Sequence, residues 1–196
     1  KPGIVLSLYM GAVIAAMIYS KYHAFLILGF TVLSNLKLLK NRYFYFIVVI
    51  TLILLLPHIL WQIENEFPTF KYHIFERAKP FRLKYVFPNL INQIVMAGPL
   101  TGVIIFWKLR RFRIKDRFDR ALIFNIFGFY IFFFILSFKN RIEAHWTAAI
   151  IPMLMFVTYP LVSGDQKSRL WFKRLAVPVI GLLLLYRIYL ALDVIP

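Results

Sequence analysis

Long hydrophobic runs alternate with short polar stretches along this chain of 196 residues. The runs lack the strict alternation of apolar and polar residues that marks the strands of a membrane barrel. In lipid every backbone polar group must be paired within the protein, so the runs predict helices. A spanning helix needs about 20 residues, and most runs reach that length once interfacial residues are counted. The pattern predicts about seven transmembrane segments, at Ile4–Tyr19, Ala24–Leu36, Tyr43–Leu60, Pro88–Trp107, Ala121–Phe138, Trp146–Val162 and Leu175–Leu192.

The composition agrees with a membrane protein. Hydrophobic residues make up 61% of the chain, whereas soluble chains are nearer half apolar. We therefore predict an all-α, polytopic membrane helix bundle that forms a single domain over residues 1–196. The second run is short enough for a half-span, or for a helix that begins within Ser20–His23. The chain has no cysteine, which excludes disulfides, thiolate nucleophiles and cysteine-ligated metals. Because it starts at Lys1 rather than methionine, we interpret it as part of a longer polypeptide.

The formal charge of +16 is concentrated in three connections between the runs. One carries Lys37, Lys40 and Arg42, and the other two are Lys108–Arg120 and Asp165–Arg174. If the segments alternate in direction, these connections share a face, and the positive-inside rule makes that face cytoplasmic. Basic runs also occur in nucleic-acid-binding patches, but anchors beside anionic lipid are the favoured interpretation, and no nucleic-acid partner is predicted.

The remaining connections then lie on the outer face. The longest, residues 61–87, holds five basic and three acidic residues among many aromatic ones. It is not rich in glycine or serine, so we predict short amphipathic helices on the membrane surface rather than a plain connection. Outward cations beside an apolar surface suit a lipid phosphate, because arginine offers a planar fork and lysine a compact charge. Each cation alone is also typical of a side chain that snorkels at a helix end. The candidates are Lys21, Arg77, Arg141 and one of Lys79, Arg82 and Lys84.

Four stretches, "SKYHAFLIL", "LPHILWQIENEFPTFKYHIFERA", "MAGPL" and "NRIEAHWTAAIIPML", occur in this order. In that order the chain resembles the bacterial membrane glycosyltransferases of the protein-mannosyltransferase-like type, which share the GT-C fold with the lipid A aminoarabinose transferases. The resemblance covers about Ser7 to Pro160. It implies transfer of a sugar from a polyprenyl-phosphate (or diphosphate) donor to a protein, lipid or glycan acceptor. The reaction would take place at the outer face of the bacterial cytoplasmic membrane.

The resemblance also implies site residues. Lys21 stands where the family has a lysine near the donor phosphate, and Arg77 matches a phosphate-binding arginine of the outer loop. His145 stands where the family usually has asparagine. The family's catalytic carboxylate lies in an earlier outer loop, so this chain is expected to lack the base and to be inactive alone. With Arg141 as a third phosphate ligand, the residues expected to line the cavity are Tyr22, His23, Glu64, Asn65, His73, Lys84, Glu143, His145 and Trp146.

No metal site is predicted, because the four histidines lack the spacing of zinc motifs and no DxD pair occurs. A divalent cation, which some relatives of the fold use, is not indicated, and no other cofactor is expected. His58 is interpreted as a structural or interfacial histidine, and Gly98–Pro99 as a helix kink. Arg187, near the outer end of the last run, either snorkels or faces the cavity.

A different class of protein also fits the pattern. The chain could be a non-enzymatic helical subunit of a transport or secretion complex, whose outer loop docks a protein instead of a phosphate. An acidic residue in an outer loop upstream of this sequence would favour the transferase.

Overall fold

The computed structural model describes residues 3–71 and 81–192, and all regular secondary structure in these two ranges is helical. The α-helices are α1 (Ile4–Ser20), α2 (Ala24–Ser34), α3 (Arg42–Glu64), α4 (Pro68–Lys71), α5 (Val86–Ala97), α6 (Thr101–Leu109), α7 (Arg117–Ser137), α8 (Ile151–Ser163) and α9 (Gln166–Leu192). Short 3-10 helices cover Leu36–Lys40, Leu83–Tyr85 and Ala144–Ile150. The prediction of an all-α fold is confirmed for this part of the chain.

Four helical segments in the described ranges are long and apolar enough to cross a membrane. They are Arg42–Glu64, Arg117–Ser137, Ala144–Ser163 and Gln166–Leu192. A fifth span results if α5 and α6 together count as one. The helix α2 has 11 residues, or about 16 Å at 1.5 Å per residue, which is about half of a hydrocarbon core of ~30 Å. Length and composition thus give four or five spans, and the count of about seven remains a prediction.

The fourth predicted run is broken rather than kinked. The axes of its two halves meet at 95°, on either side of residues 98–100. Gly98 has φ +127°, a conformation that glycine adopts far more readily than other residues. Gly102 then brings the start of α6 against the Ile94 carbonyl oxygen of α5. Glycines therefore allow both the sharp turn and the close contact that follows it.

The helices α1 and α3 pack side by side and run in the same direction. Gly11 lies against Ile50, where a Cβ atom on the glycine would be 2.7 Å from the isoleucine side chain. The Thr51 hydroxyl donates to the Gly11 carbonyl oxygen at 3.2 Å. Further along, the Tyr19 hydroxyl donates to the Leu54 carbonyl oxygen at 3.1 Å. Parallel packing is the arrangement expected for the first and third segments of a chain that alternates in direction.

The helices α2 and α7 pack in opposite directions and carry much of the core. The side-chain amide of Asn125, in the first half of α7, donates to the hydroxyl of Thr31, near the end of α2, at 2.9 Å. At the other end, the ring centroids of His23 and Phe133 are 5.5 Å apart. Phe129 and Phe133 are almost wholly buried in this interface. The start of α2 and the end of α7 are thereby fixed beside each other.

Contacts between distant connections define two ends of the bundle. Lys108 and Asp165 form an ion pair with Nζ and Oδ2 2.6 Å apart, which joins the second and third basic connections. At the opposite end, the Lys21 ammonium group donates to the His145 carbonyl oxygen at 3.0 Å. The Arg82 backbone N–H donates to the Phe138 carbonyl oxygen at 2.7 Å. The segments predicted to share the outer face therefore meet at one end, and which end faces the cytoplasm remains a prediction from charge.

Candidate functional site

A cavity of about 690 Å³ lies at the end of the bundle where the 20–23 turn meets the 140–146 segment. Its volume falls within the range of about 300–1,000 Å³ that is usual for ligand sites. Most of its wall is apolar and comes from α2 and α7. The lining residues are Ser20, Lys21, Tyr22, His23, Phe25, Leu26, Phe132, Phe133, Leu136, Asn140 and Trp146.

The turn between α1 and α2 positions the lysine of this cavity. Lys21 has an extended backbone, with φ −161° and ψ 127°, and its N–H donates to the Met17 carbonyl oxygen at 3.0 Å. The Lys21 carbonyl oxygen in turn accepts from the Ala24 N–H at 2.9 Å. Both bonds hold the lysine between the two helices. The side chain is half-buried and uses one of its three N–H donors on the His145 carbonyl oxygen.

The 3-10 helix Ala144–Ile150 supplies the opposite wall. The Trp146 ring centroid lies 5.7 Å from that of His23 and 5.7 Å from that of Phe133. His145 takes part through its backbone carbonyl group, whereas the residue as a whole is exposed. His145 thus meets Lys21 through an atom that every residue possesses.

Tyr22 belongs to a hydrogen-bonded group that the sequence did not predict. Its hydroxyl is 2.7 Å from His58 Nε2 and accepts from Gln62 Nε2 at 3.1 Å. Which of the two atoms, the Tyr22 hydroxyl oxygen or His58 Nε2, donates this hydrogen bond depends on the tautomer of His58. The ring of Trp61 stacks on His58 with centroids 5.9 Å apart. His58 and Gln62 are four residues apart on α3, the spacing that places two side chains on one helix face.

The cavity wall has one formal charge among its described residues. Among the described lining residues, Lys21 is the only lysine or arginine, and none is an aspartate or glutamate. The Asn140 Oδ1 atom is buried and has no hydrogen-bond partner within the described ranges. The cavity thus combines one positive charge and one unsatisfied carboxamide oxygen with a mainly apolar wall. Such a wall suits an amphiphile that carries an anionic group.

The structure separates the predicted site residues into two groups. Lys21, Tyr22, His23 and Trp146 line the cavity. The others in the described ranges are outside its lining: Arg141, Glu64, Asn65, Lys84, Glu143 and His145. Arg77 and His73 lie outside the residues that the structure describes. Asn140 and the apolar wall residues were not predicted, because a phenylalanine that lines a cavity and one that faces lipid have the same local sequence pattern.

The residues outside the lining have other contacts. The side chains of Arg141 and Glu143 form a long ion pair, with Nε and Oε1 3.8 Å apart, and Arg141 is 80% exposed. The Asn65 amide donates to the Trp61 carbonyl oxygen at 2.8 Å at the end of α3. Lys84 Nζ lies 5.1 Å from the centre of the Tyr85 ring. Glu64 is exposed.

For metals, the described ranges contain no group of three or more histidine, aspartate or glutamate side chains placed to hold an ion. Two of the described carboxylates at this end of the bundle, those of Glu66 and Glu143, lie in ion pairs. Glu66 pairs with Lys71, which lowers the pKa of Glu66, chiefly through the hydrogen bond between them.

The fold and the cavity define an all-helical protein with several apolar helices of membrane-spanning length and a lysine-bearing cavity at one end of the bundle. No family model, no curated protein sequence and no solved structure matches this chain.

Proposed function

We propose that this chain is part of a membrane glycosyltransferase that uses a sugar linked to polyprenyl phosphate. The observation that carries the proposal is the position of Lys21 in the wall of a cavity that is otherwise mainly apolar. An ammonium group beside aromatic and aliphatic side chains suits a phosphate that is attached to a hydrocarbon chain. The resemblance described above supports the same ligand.

The location of the cavity supports an outward-facing site. The cavity is at the end opposite the Lys108–Asp165 ion pair, and therefore opposite two of the three basic connections. By the positive-inside rule the basic end is cytoplasmic, and the cavity then opens toward the outer face. We propose that the protein resides in the bacterial cytoplasmic membrane with its donor site at that face.

The proposed reaction is the transfer of the sugar to an acceptor hydroxyl group. The acceptor oxygen bonds to the anomeric carbon, the bond between that carbon and the phosphate oxygen breaks, and the lipid phosphate leaves. The acceptor proton passes to a carboxylate, which the resemblance assigns to an earlier outer loop. Lys21 stabilises the negative charge that develops on the leaving phosphate. We propose that Arg77 and Arg141 assist from the outer segments.

A second function is favoured by one observation. The apolar part of α9 has no buried residue in its membrane-length window, so a long apolar face is available to lipid or to other helices. A non-enzymatic helical subunit of a transport or secretion complex would use such a face against its partners. In that case the cavity would contain no donor lipid.

Replacing Lys21 with methionine should weaken binding of polyprenyl-phosphate-linked sugar by about tenfold or more. The variant keeps the length of the side chain but loses a charged hydrogen bond to phosphate, which is worth about 1.5–3 kcal/mol. Binding is measured with the full-length protein in detergent. Lys21→Arg should recover part of the affinity, and Arg77→Ala should reduce it as well.

Lys115→Met is the matched control for this experiment. It removes the same charge from an exposed lysine in the second basic connection, and the affinity should stay within about twofold of the unmodified protein. Equal affinities for Lys21→Met and Lys115→Met would exclude Lys21 as a donor ligand and favour the subunit function.

A further inference from the structure

Asn140 is a polar residue of the cavity wall to which the proposed function assigns no role. It follows the end of α7, where its backbone N–H donates to the Leu136 carbonyl oxygen at 2.9 Å. Two residues earlier, the Phe138 carbonyl oxygen accepts from the Arg82 N–H at 2.7 Å. The backbone around Asn140 is therefore fixed from both sides. Its side chain contributes to the same cavity as Lys21.

The carboxamide of Asn140 forms no hydrogen bond to the described part of the chain. Its Oδ1 atom is buried without a donor, which is unusual because most buried polar atoms in proteins have a partner. The neighbouring wall residues Leu136 and Phe133 offer no side-chain donor. As placed, the buried Oδ1 atom does not face the cavity, and it reaches a bound molecule when the side-chain amide rotates, which the broad terminal torsion of asparagine allows.

Lys21 and Asn140, two of the polar residues of the wall, suit different parts of one ligand. Lys21 carries the charge that a phosphate requires, whereas the Asn140 amide is neutral and offers both a donor and an acceptor. A sugar hydroxyl group also has both. Because the anomeric carbon of a glycosyl phosphate is bonded to the phosphate oxygen, its sugar lies directly beside the phosphate. A cavity of about 690 Å³ has room for both groups.

We propose that Asn140 binds a hydroxyl group of the donor sugar and makes the site prefer a glycosylated lipid phosphate to the bare one. This inference rests on the proposed function. It assigns the phosphate to Lys21, the sugar to Asn140 and the hydrocarbon chain to the apolar wall formed by Phe25, Leu26 and Phe132.

The test compares three probes: polyprenyl phosphate, polyprenyl-phosphate-glucose and polyprenyl-phosphate-mannose. The full-length protein in detergent should bind at least one hexosyl lipid more tightly than the bare phosphate. Asn140→Leu, which is close in shape but cannot form the hydrogen bond, should reduce that preference by about fivefold to tenfold. Asn140→Ser, which keeps a hydroxyl group, should lose less. Affinity for the bare phosphate should be unchanged in both variants.

Asn65→Leu is the matched control, because Asn65 lies at the same end of the bundle but outside the cavity lining. It should leave the preference intact. The melting temperature of each variant shows whether it folds. If Asn140→Leu fails to fold, Asn140→Ser is compared with the unmodified protein instead.

The outcomes separate this inference from the proposed function. If Lys21→Met weakens all bound probes equally but Asn140→Leu keeps the full preference, the role of Asn140 is wrong and the donor site stands. An unmodified protein that binds neither hexosyl lipid better than bare phosphate also overturns the inference. If Lys21→Met weakens none of the probes, the proposed function itself is wrong.

Discussion

Replacing Asp165 with asparagine should lower the melting temperature of the protein by several degrees at neutral pH. The ammonium group of Lys108 is in a side chain that is 3% exposed, and its Nζ lies 2.6 Å from Asp165 Oδ2. Asparagine leaves this buried cation without its counter-ion, and uncompensated buried charges are strongly destabilising. The same oxygen of Asp165 accepts from the Ser168 hydroxyl at 2.5 Å, and the asparagine oxygen can still accept that hydrogen bond, so the variant removes chiefly the charge. Thermal unfolding in detergent measures the change.

Two further variants test this explanation. Lys108→Met in the Asp165→Asn background should recover most of the loss, because an apolar side chain of similar length needs no counter-ion. Glu66→Gln is the matched control, since the pair of Glu66 with Lys71 is exposed, at 79% and 52%, and exposed pairs contribute little. A loss as large in Glu66→Gln as in Asp165→Asn would contradict the role assigned to burial.

The ion pair should also produce a specific pH dependence. The hydrogen bonds from Lys108 and Ser168 lower the pKa of Asp165 from 3.8 to about 2 in the folded protein. A carboxyl group whose pKa is lower in the folded than in the unfolded state stabilises the fold above the unfolded value. The difference in melting temperature between the unmodified protein and Asp165→Asn should therefore be constant above about pH 4 and shrink as the pH falls toward 2. A difference that persists unchanged at pH 2 would show that this carboxylate is not the source.

Replacing Gly102 with alanine should destabilise the protein by about 1–3 kcal/mol, the usual cost of overpacking. A Cβ atom at this position would collide with the Ile94 carbonyl oxygen, which belongs to the backbone of α5 and cannot rotate away. The collision forces α5 and α6 apart at the point where they meet at 95°. Buried groups on either side of that junction, such as Ala97 and Ile105, would lose contacts. The free energy of unfolding in detergent provides the measurement.

Gly181 in α9 supplies the control, because a Cβ atom there would meet nothing within 4 Å. Alanine favours helix over glycine, so Gly181→Ala should be neutral or slightly stabilising. If Gly102→Ala were as stable as Gly181→Ala, α5 and α6 would not be in the close contact described here.

The meeting of two loops at Lys21 could be predicted only in outline from the sequence. Alternation of the apolar runs placed residues 20–24 and 139–146 on one side, and the hydrogen bond from Lys21 to the His145 carbonyl oxygen joins those two segments. The sequence alone did not distinguish Asn140, which lines the cavity, from Asn65, which does not. Both are polar residues that follow the end of an apolar run. Which of them faces the cavity depends on how α2, α3 and α7 are rotated against one another.

The sequence by itself determined the helices and the distribution of charge. Helical hydrogen bonds join residues four apart, and hydrophobicity and charge belong to each residue separately, so both are readable along the chain. The sequence indicated an irregularity at Gly98–Pro99, which was predicted as a kink, whereas the break with its 95° angle was not predicted.

Only the tertiary structure decided which polar groups meet. Lys21 and His145 are 124 residues apart, and Tyr22 and His58 are 36 apart. With 61% of the chain hydrophobic, nearly every helix face is apolar enough to pack against protein or lipid. Periodicity therefore does not identify the packed face, and small residues such as Gly11 and Gly128 select it through the close contacts that they allow. The cavity, the Tyr22–His58–Gln62 group and the buried Lys108 ion pair all follow from that selection.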